Sequence, residues 1–276
     1  TRKIIYVNNR NKRREMNIKV NTKGGGIFSK FMLAIQYINF AIDDVDKINE
    51  IYLDIDRNIP NERLTNEDKS WMSAVGENNP FDYVLDQNPN CKFDEVLRVY
   101  PRGFGTYHNI NKVSELPRLK TIVSKLKIKD TVINKLKPLK GKSLGVHVRL
   151  TDMEMWHPSY GTGIITNTFY EATKRTLQSE SFDSIFVSSD NDESLEYFKE
   201  KMDIVYNDVG NRVKLANDGR HQLGLQLNKS GDEDFWVDTF LEMLSLSKCN
   251  TLIYRVSNLN NASVLFSQTI KHTVKL

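Results

Sequence analysis

Gly141-Lys142-Ser143-Leu144-Gly145-Val146-His147-Val148-Arg149-Leu150-Thr151-Asp152 passes from apolar strand to dense polar chemistry within a few positions. Ser143 to Val148 reads as a strand, with Val146 and Val148 on one face and Gly145, His147 and Arg149 on the other. A guanidinium and an imidazole therefore emerge together at its carboxyl end, and in open α/β sheets that end borders the ligand crevice. An arginine held there by rigid backbone suits a phosphate, because its planar fork donates two parallel hydrogen bonds and does not lose its charge. The plainer alternative pairs Arg149 with Asp152 across a turn and leaves His147 as a satisfied core residue.

Around this stretch, strand and helix patterns alternate. The order is helix 120–136 closed by Pro138, strand 143–148, helix 168–178, strand 184–187, helix 192–202, strand 203–206, helix 234–247, strand 251–256 and helix 262–269. Alternation of this kind means parallel strands joined by crossover helices. Each of three strands ends in polar residues: Arg149 and Asp152 after the first, Ser188, Ser189 and Asp190 after the second, Ser257, Asn258 and Asn260 after the third. In a doubly wound sheet these tips share one rim, where Arg149 and the N–H groups or hydroxyls near Ser257 can hold a nucleotide diphosphate. Asp238 and Glu242 lie four apart on one helix face, where a carboxylate can accept hydrogen bonds from a guanine edge.

Toward the amino terminus, 3–7 (KIIYV) and 17–21 (NIKVN) read as strands, and Gly24-Gly25-Gly26 leads into a helix over 28–42. Phe28, Met32, Ile35, Ile38 and either Ala41 or Ile42 recur there at helical spacing. Consecutive glycines before a helix let backbone approach a ligand closely and leave helix N–H groups facing an anion; a flexible turn is the competing reading. Strand 51–55 then runs into Asp54-Ile55-Asp56, a spacing that suits Mn²⁺ or Mg²⁺ beneath a nucleotide-sugar diphosphate. Two solvated carboxylates explain it equally, and Asp190-Asn191-Asp192 poses the same choice. Residues 57–118 are broken by Pro60, Pro80, Pro89, Pro101 and Pro117; their aromatics Trp71, Phe81, Tyr83, Phe104 and Tyr107 read as core rather than groove.

With 276 residues the chain has room for two domains, divided near Pro117. The net charge of +4 is spread among nearly as many acids as bases, and no basic stripe interleaved with aromatics appears, so a nucleic-acid partner is not expected. Cys91 and Cys249 lack zinc spacing and read as free thiols of a reducing compartment, which points to the cytoplasm. No apolar run reaches membrane-span length and no signal peptide is read, although Thr1 leaves room for a natural segment ahead of it.

His147-Val148-Arg149-Leu150-Thr151-Asp152 resembles the H-x-R-x-x-D motif of the fucosyltransferase superfamily. Ile185 to Asp190 (IFVSSD) is similar to that superfamily's second motif, Leu244 to Ala262 to its third, and Gly24 to Ser29 (GGGIFS) to its glycine loop. The resemblance implies a GT-B architecture in which two Rossmann-like domains face a cleft: 1–117 on the acceptor side with the glycine loop at Gly25 and Gly26, and 118–276 binding GDP-fucose. It implies inversion at the anomeric carbon without a metal or other cofactor. Arg149 would neutralise the departing diphosphate, His147 and Glu242 would contact the nucleotide together with Asp190, and Ser257 or Asn258 would bind phosphate. Two departures stand out: Leu150 where many relatives carry a second Arg, and Asn258 in place of a frequent serine.

Glycosyl transfer builds negative charge on the leaving diphosphate while the acceptor hydroxyl loses a proton. The loop after the first motif offers Asp152, Glu154 and His157 as bases, with Asp152 alternatively orienting the loop, and Trp156 and Tyr160 for stacking on acceptor sugar or for packing. The expected activity is therefore transfer of fucose from GDP-fucose to a glycan hydroxyl. A metal-dependent glycosyltransferase built on Asp54 and Asp56, and a non-catalytic carbohydrate- or nucleotide-binding protein, are the alternatives.

Overall fold

Ile18, Val20 and Thr22 are buried and alternate with half-buried Asn17, Lys19 and Asn21, the period of two that defines strand β1, Met16–Thr22. The protein is seen in a computed structural model that describes residues 15–22, 27–57, 78–99, 115–150, 162–209 and 232–276. β1 is the middle of a parallel three-stranded sheet, flanked by Ile48–Ile55 (β2) and Glu95–Val99 (β3). Helix Ile27–Ala41 (α1) crosses from β1 to β2 and buries Phe28, Phe31, Met32, Ala34, Ile35 and Ile38, a stripe of helical period. Past its end Ile42 is buried and Ala41 exposed, which resolves the alternative left by the spacing.

Helix Leu116–Val123 (α2) ties α1 down. Arg118 donates to Asn39 Oδ1 at 2.8 Å, to the Asp43 carbonyl at 2.9 Å and to the Ile42 carbonyl. A guanidinium on the last carbonyls of a helix satisfies orphan acceptors and opposes the negative end of the dipole. The boundary expected near Pro117 falls in the first turn of α2.

The helix expected over 120–136 is two pieces. α2 stops at Val123 and a single turn, Asp130–Ile133 (α3), forms later. After a turn at 124–125 the chain pairs with 84–86: Ile128 bridges Leu85 antiparallel, Asp86 N–H donates to the Lys127 carbonyl, and Lys129 N–H donates to the Val84 carbonyl. Leu126 and Ile128 alternate with lysines, a period of two that pairing with 84–86 favours over the helix.

Ser143–Val148 (β4) is buried at every residue and lies in a second sheet. Its neighbours are Ser184–Ser189 (β5) on one side and Thr251–Tyr254 (β6) on the other, with His272–Lys275 (β7) beyond β6. All four strands are parallel. Leu144, Val146, Val148, Val187 and Ile253 pack on one face with helices Thr162–Ser179 (α4) and Asp192–Lys199 (α5). Phe186 and Leu252 pack in a different cluster with helices Glu233–Ser247 (α6) and Asn258–Phe266 (α7). Gly145 packs closely there: a Cβ would stand 3.0 Å from Cys249 Sγ and 3.2 Å from Leu252 Cδ1, so those side chains would have to give way to any larger residue.

That second cluster continues without a break into the first sheet. Phe28 meets Phe240 with centroids 5.2 Å apart, Phe31 stacks on Phe266 at 5.6 Å, and Phe81 meets the edge of Trp236 at 5.5 Å. Each such ring removed from water contributes roughly 1.5–3 kcal/mol, so helices α1, α6 and α7 hold the two sheets together. Phe81 is core as expected and Tyr83 packs against it; Trp71, Phe104 and Tyr107 lie outside the described residues, as does the strand expected over 3–7.

Other boundaries moved for local reasons. α4 begins six residues before the expected 168, and three of its threonines bond back to the fourth preceding carbonyl: Thr168 to Ile164, Thr173 to Phe169 and Thr176 to Ala172. The strand expected over 203–206 is a single bridge, Val205 beside Phe186 on the outer side of β5. The helix expected over 262–269 starts at Asn258, because Ser257 caps it and accepts the Asn260 N–H at 3.2 Å. β3 and β7 were not expected at all; both are short edge strands with mostly exposed residues.

Candidate functional site

The strand order β5-β4-β6-β7 has a functional consequence. The chain leaves β4 for β5 on one side, then crosses back to β6 on the other, so β4 and β6 flank the point where the winding reverses. Ligands of open parallel sheets bind outside the carboxyl ends of strands at such a point. Arg149 follows β4 and Ser257 follows β6, and the structure brings these two tips together with Asp190 at the tip of β5.

Each tip is built from its own backbone. β4 is entirely buried up to Val148, and Leu150 is buried again, but Arg149 between them is half-buried and reaches the surface at the rim. Asp190 fixes that position: its Oδ1 accepts the Leu150 N–H at 3.0 Å, a charge-assisted bond that locks the chain just past the arginine. Asn191, fully buried, caps α5 by accepting the Ser194 N–H at 2.9 Å, and its own N–H donates to Ser189 Oγ at 3.1 Å. At the third tip, Asn260 is fully buried and its Nδ2 donates to the Arg255 carbonyl at 2.7 Å, which clamps the turn from β6 into α7. Asn258 occupies the first turn of α7, whose N-terminal N–H groups and dipole favour an anion.

Beneath the rim lies a polar layer. His147, 3% exposed, is level with Ser188 on β5 and Tyr254 on β6. Ser188 Oγ donates to Glu242 Oε2 at 2.7 Å, so the carboxylate of α6 reaches the sheet under the strand tips. Glu242 is 9% exposed and Asp238, one turn earlier, is half-buried. Burial pushes the Tyr254 phenol above its ordinary pKa, with a hydrogen bond to Thr273 acting in the opposite sense. His147, Ser188 and Glu242 are all buried in this layer, and the low local dielectric strengthens electrostatic interactions with whatever sits above it.

The structure thus gathers Arg149, His147, Asp190, Glu242, Ser257 and Asn258 at one end of one sheet. Gly25, Gly26, Asp152, Glu154, His157, Trp156 and Tyr160 lie outside the described residues. Asn191 and Ser188 were missed as structural partners of the rim; the Asn before the acidic first turn Asp192-Glu193 was the available sign of a cap.

The other candidates are otherwise engaged. Asp54 is held by Lys19 at 2.9 Å and Arg57 at 3.5 Å, while Asp56 is 4% exposed and faced by Arg98 at 3.9 Å. Among the described residues no group of three His, Cys, Asp or Glu is arranged to hold a metal ion. Cys249 is buried and its thiol is pushed up to about 12 by desolvation, which keeps it protonated and inert. No helix of the described residues is long and apolar enough to cross a membrane.

The sequence matches no protein-family model and no curated protein. Among solved structures it is similar to the fucosyltransferase NodZ from Bradyrhizobium, with 12% identity, a TM-score of 0.49, and 92% of this chain and 94% of that chain covered. The NodZ α-1,6-fucosyltransferase soaked with GDP-fucose gives 11% identity, a TM-score of 0.47 and coverage of 92% and 93%. POFUT1 in complex with GDP-fucose gives 12% identity, a TM-score of 0.36 and coverage of 96% and 74%. At these values the likeness concerns the course of the backbone and assigns no role to any residue here.

Proposed function

We propose that this chain is an inverting, metal-independent glycosyltransferase of GT-B architecture that transfers fucose from GDP-fucose to a glycan hydroxyl. The observation that carries the reading is Arg149, held between two buried residues and locked by Asp190 at the reversal point of a parallel sheet. The H-x-R-x-x-D resemblance gives that arginine its meaning. As the anomeric carbon separates from the diphosphate, charge grows on the leaving oxygen, and a guanidinium fixed in advance meets it without reorganising. The N-terminus of α7 takes another phosphate, and the guanine edge is recognised near Glu242. Asp190 acts through the backbone, setting where Arg149 stands.

The acceptor hydroxyl gives its proton to a base in the loop after the motif, among Asp152, Glu154 and His157. The cations around Asp54 favour a metal-free reaction over one organised by Asp54 and Asp56, since those carboxylates already have partners. The test is a thermal-shift comparison of GDP, UDP, ADP and CMP followed by a transfer assay with GDP-fucose on a panel of glycans. A guanine-specific rise in Tm with product formed in EDTA is expected. A rise only with UDP and Mn²⁺ would replace this reading with the metal-dependent one, and binding without product would make the protein a non-catalytic module.

A further inference from the structure

The opposite end of the second sheet also carries a cleft. Where β4, β6 and β7 begin, Gly141, Lys142, Glu180, Asn250, Thr251, Lys271 and His272 line a cleft of about 490 Å³. Asn250 knits the three strands together at that end: its Oδ1 accepts the Ser143 N–H at 2.8 Å, its N–H donates to the Ser143 carbonyl at 2.8 Å, and its carbonyl accepts from Lys271 N–H at 2.8 Å and His272 N–H at 3.4 Å. The wall is therefore rigid before any ligand arrives.

The lysine on the other wall is aimed just as deliberately. Gly141 has φ +48°, and a Cβ there would fall 2.1 Å from Asp183 Oδ2, the same oxygen that accepts the Lys142 N–H at 2.7 Å. Only glycine permits this turn, which sends the Lys142 ammonium to Glu180 at the edge of the cleft. Lys142, Lys271 and His272 bring basic groups to the lining against the single carboxylate of Glu180. Among the described residues no carboxylate pairs with Lys271 or His272, and both are exposed. In contrast, Thr251, which borders the cleft, is 2% exposed, and its Oγ1, itself buried, has no hydrogen-bond partner. Buried hydroxyls are almost always satisfied, so an unsatisfied one bordering a basic cleft points to an absent acceptor.

We propose that this cleft binds a tetrahedral oxyanion, a phosphate or sulfate group, remote from the rim that carries Arg149. Lys271 and His272 supply charge from β7, the Lys142–Glu180 pair opens to admit one anionic oxygen, and Thr251 donates its hydroxyl to another. The group comes either as a free ion or as an ester on a sugar.

Titration calorimetry on the whole chain decides the matter, with inorganic phosphate, glucosamine 6-sulfate and plain glucosamine as probes. Arg149→Ala should retain the binding of both anionic probes at this cleft, and glucosamine should give no heat. Lys271→Glu reverses an exposed charge and should weaken binding about tenfold or more, the scale of one lost charge-assisted bond. Thr251→Val keeps the shape and removes the donor, and should weaken binding about threefold to tenfold. Tighter binding of the sulfate ester than of phosphate identifies a sugar-borne group; the reverse identifies the free ion. Undetectable binding of both anionic probes, equal binding by Lys271→Glu, or loss of binding in Arg149→Ala would each overturn the proposal.

Discussion

The two sheets share a winding and differ in what their carboxyl ends do. In each, the first strand is central and the next two flank it on opposite sides: β2-β1-β3 in one, β5-β4-β6 in the other. At the first rim the described side chains close on one another. Thr22 Oγ1 donates to the Asp54 carbonyl, Asp54 is held by Lys19 and Arg57, and Arg98 faces Asp56. At the second rim the bonds run from side chain to backbone, Asp190 to Leu150 and Ser257 to Asn260, and they position Arg149 and a helix N-terminus at the edge of the sheet. One topology thus gives one end whose described carboxylates are ion-paired and another whose described side-chain bonds fix the backbone around Arg149 and the start of α7; function follows from which atoms the polar side chains engage.

The sharpest way to break this contrast is to remove one cation from each rim. Arg149→Ala should lower kcat by about a hundredfold to a thousandfold, the usual loss when a preorganised charge stabiliser is deleted, and should abolish GDP binding with Tm unchanged. Lys19→Ala should leave transfer intact and shift stability by less than about 1 kcal/mol, as for other partly exposed ion pairs. Equal effects of the two substitutions on turnover would erase the distinction between the rims.

A smaller effect is expected at Asp190. Asp190→Ala frees the Leu150 N–H and should reduce kcat about tenfold through misplacement of Arg149, while KM for the acceptor stays the same. Asp190→Asn keeps an acceptor oxygen and should restore most of the rate; failure of that rescue would mean that the carboxylate charge itself meets the substrate. Ser257→Ala removes the cap of α7, with an expected cost of about 1 kcal/mol in urea unfolding and a measurable weakening of GDP affinity.

The mildest prediction concerns alkali. Burial pushes the Cys249 thiol from about 9 in an unfolded chain up to about 12, and also raises the phenols of Tyr52 and Tyr254. Between pH ~9 and ~12 the unfolded state therefore releases protons that the folded state retains, so the native state binds more protons and stability falls as pH rises. Below pH ~9 these groups contribute no slope. Unfolding monitored across that window should show the decline, and Cys249→Ala, by deleting its thiol, should flatten part of it.

Much of the second sheet was legible in the sequence. β4 was read to the residue because five of its six positions are apolar, glycine or histidine between two polar boundaries, and a strand buried on both faces needs that composition. Segments whose form depends on a distant partner were not legible. Residues 126–129 gave up a helical pattern to pair with 84–86, and β3 exists because β1 offers it an open edge. Within the candidate site, Arg149 stood out by its place after an apolar run, whereas the Ser188–Glu242 bond joins residues 54 apart that no local pattern connects.

By itself, the sequence determined the alternating order of the main buried strands and helices and, for β4, its limits, because periodicity is a local property of the chain. It also determined that polar residues follow each strand of the second half. Only the tertiary structure decided which tips stand side by side, that Asp54 and Asp56 turn to cations of their own sheet, and that basic residues from 142 and 271–272 meet at one cleft. Strand order and side-chain partnering arise from contacts between residues far apart in the chain, and a local pattern carries no record of them.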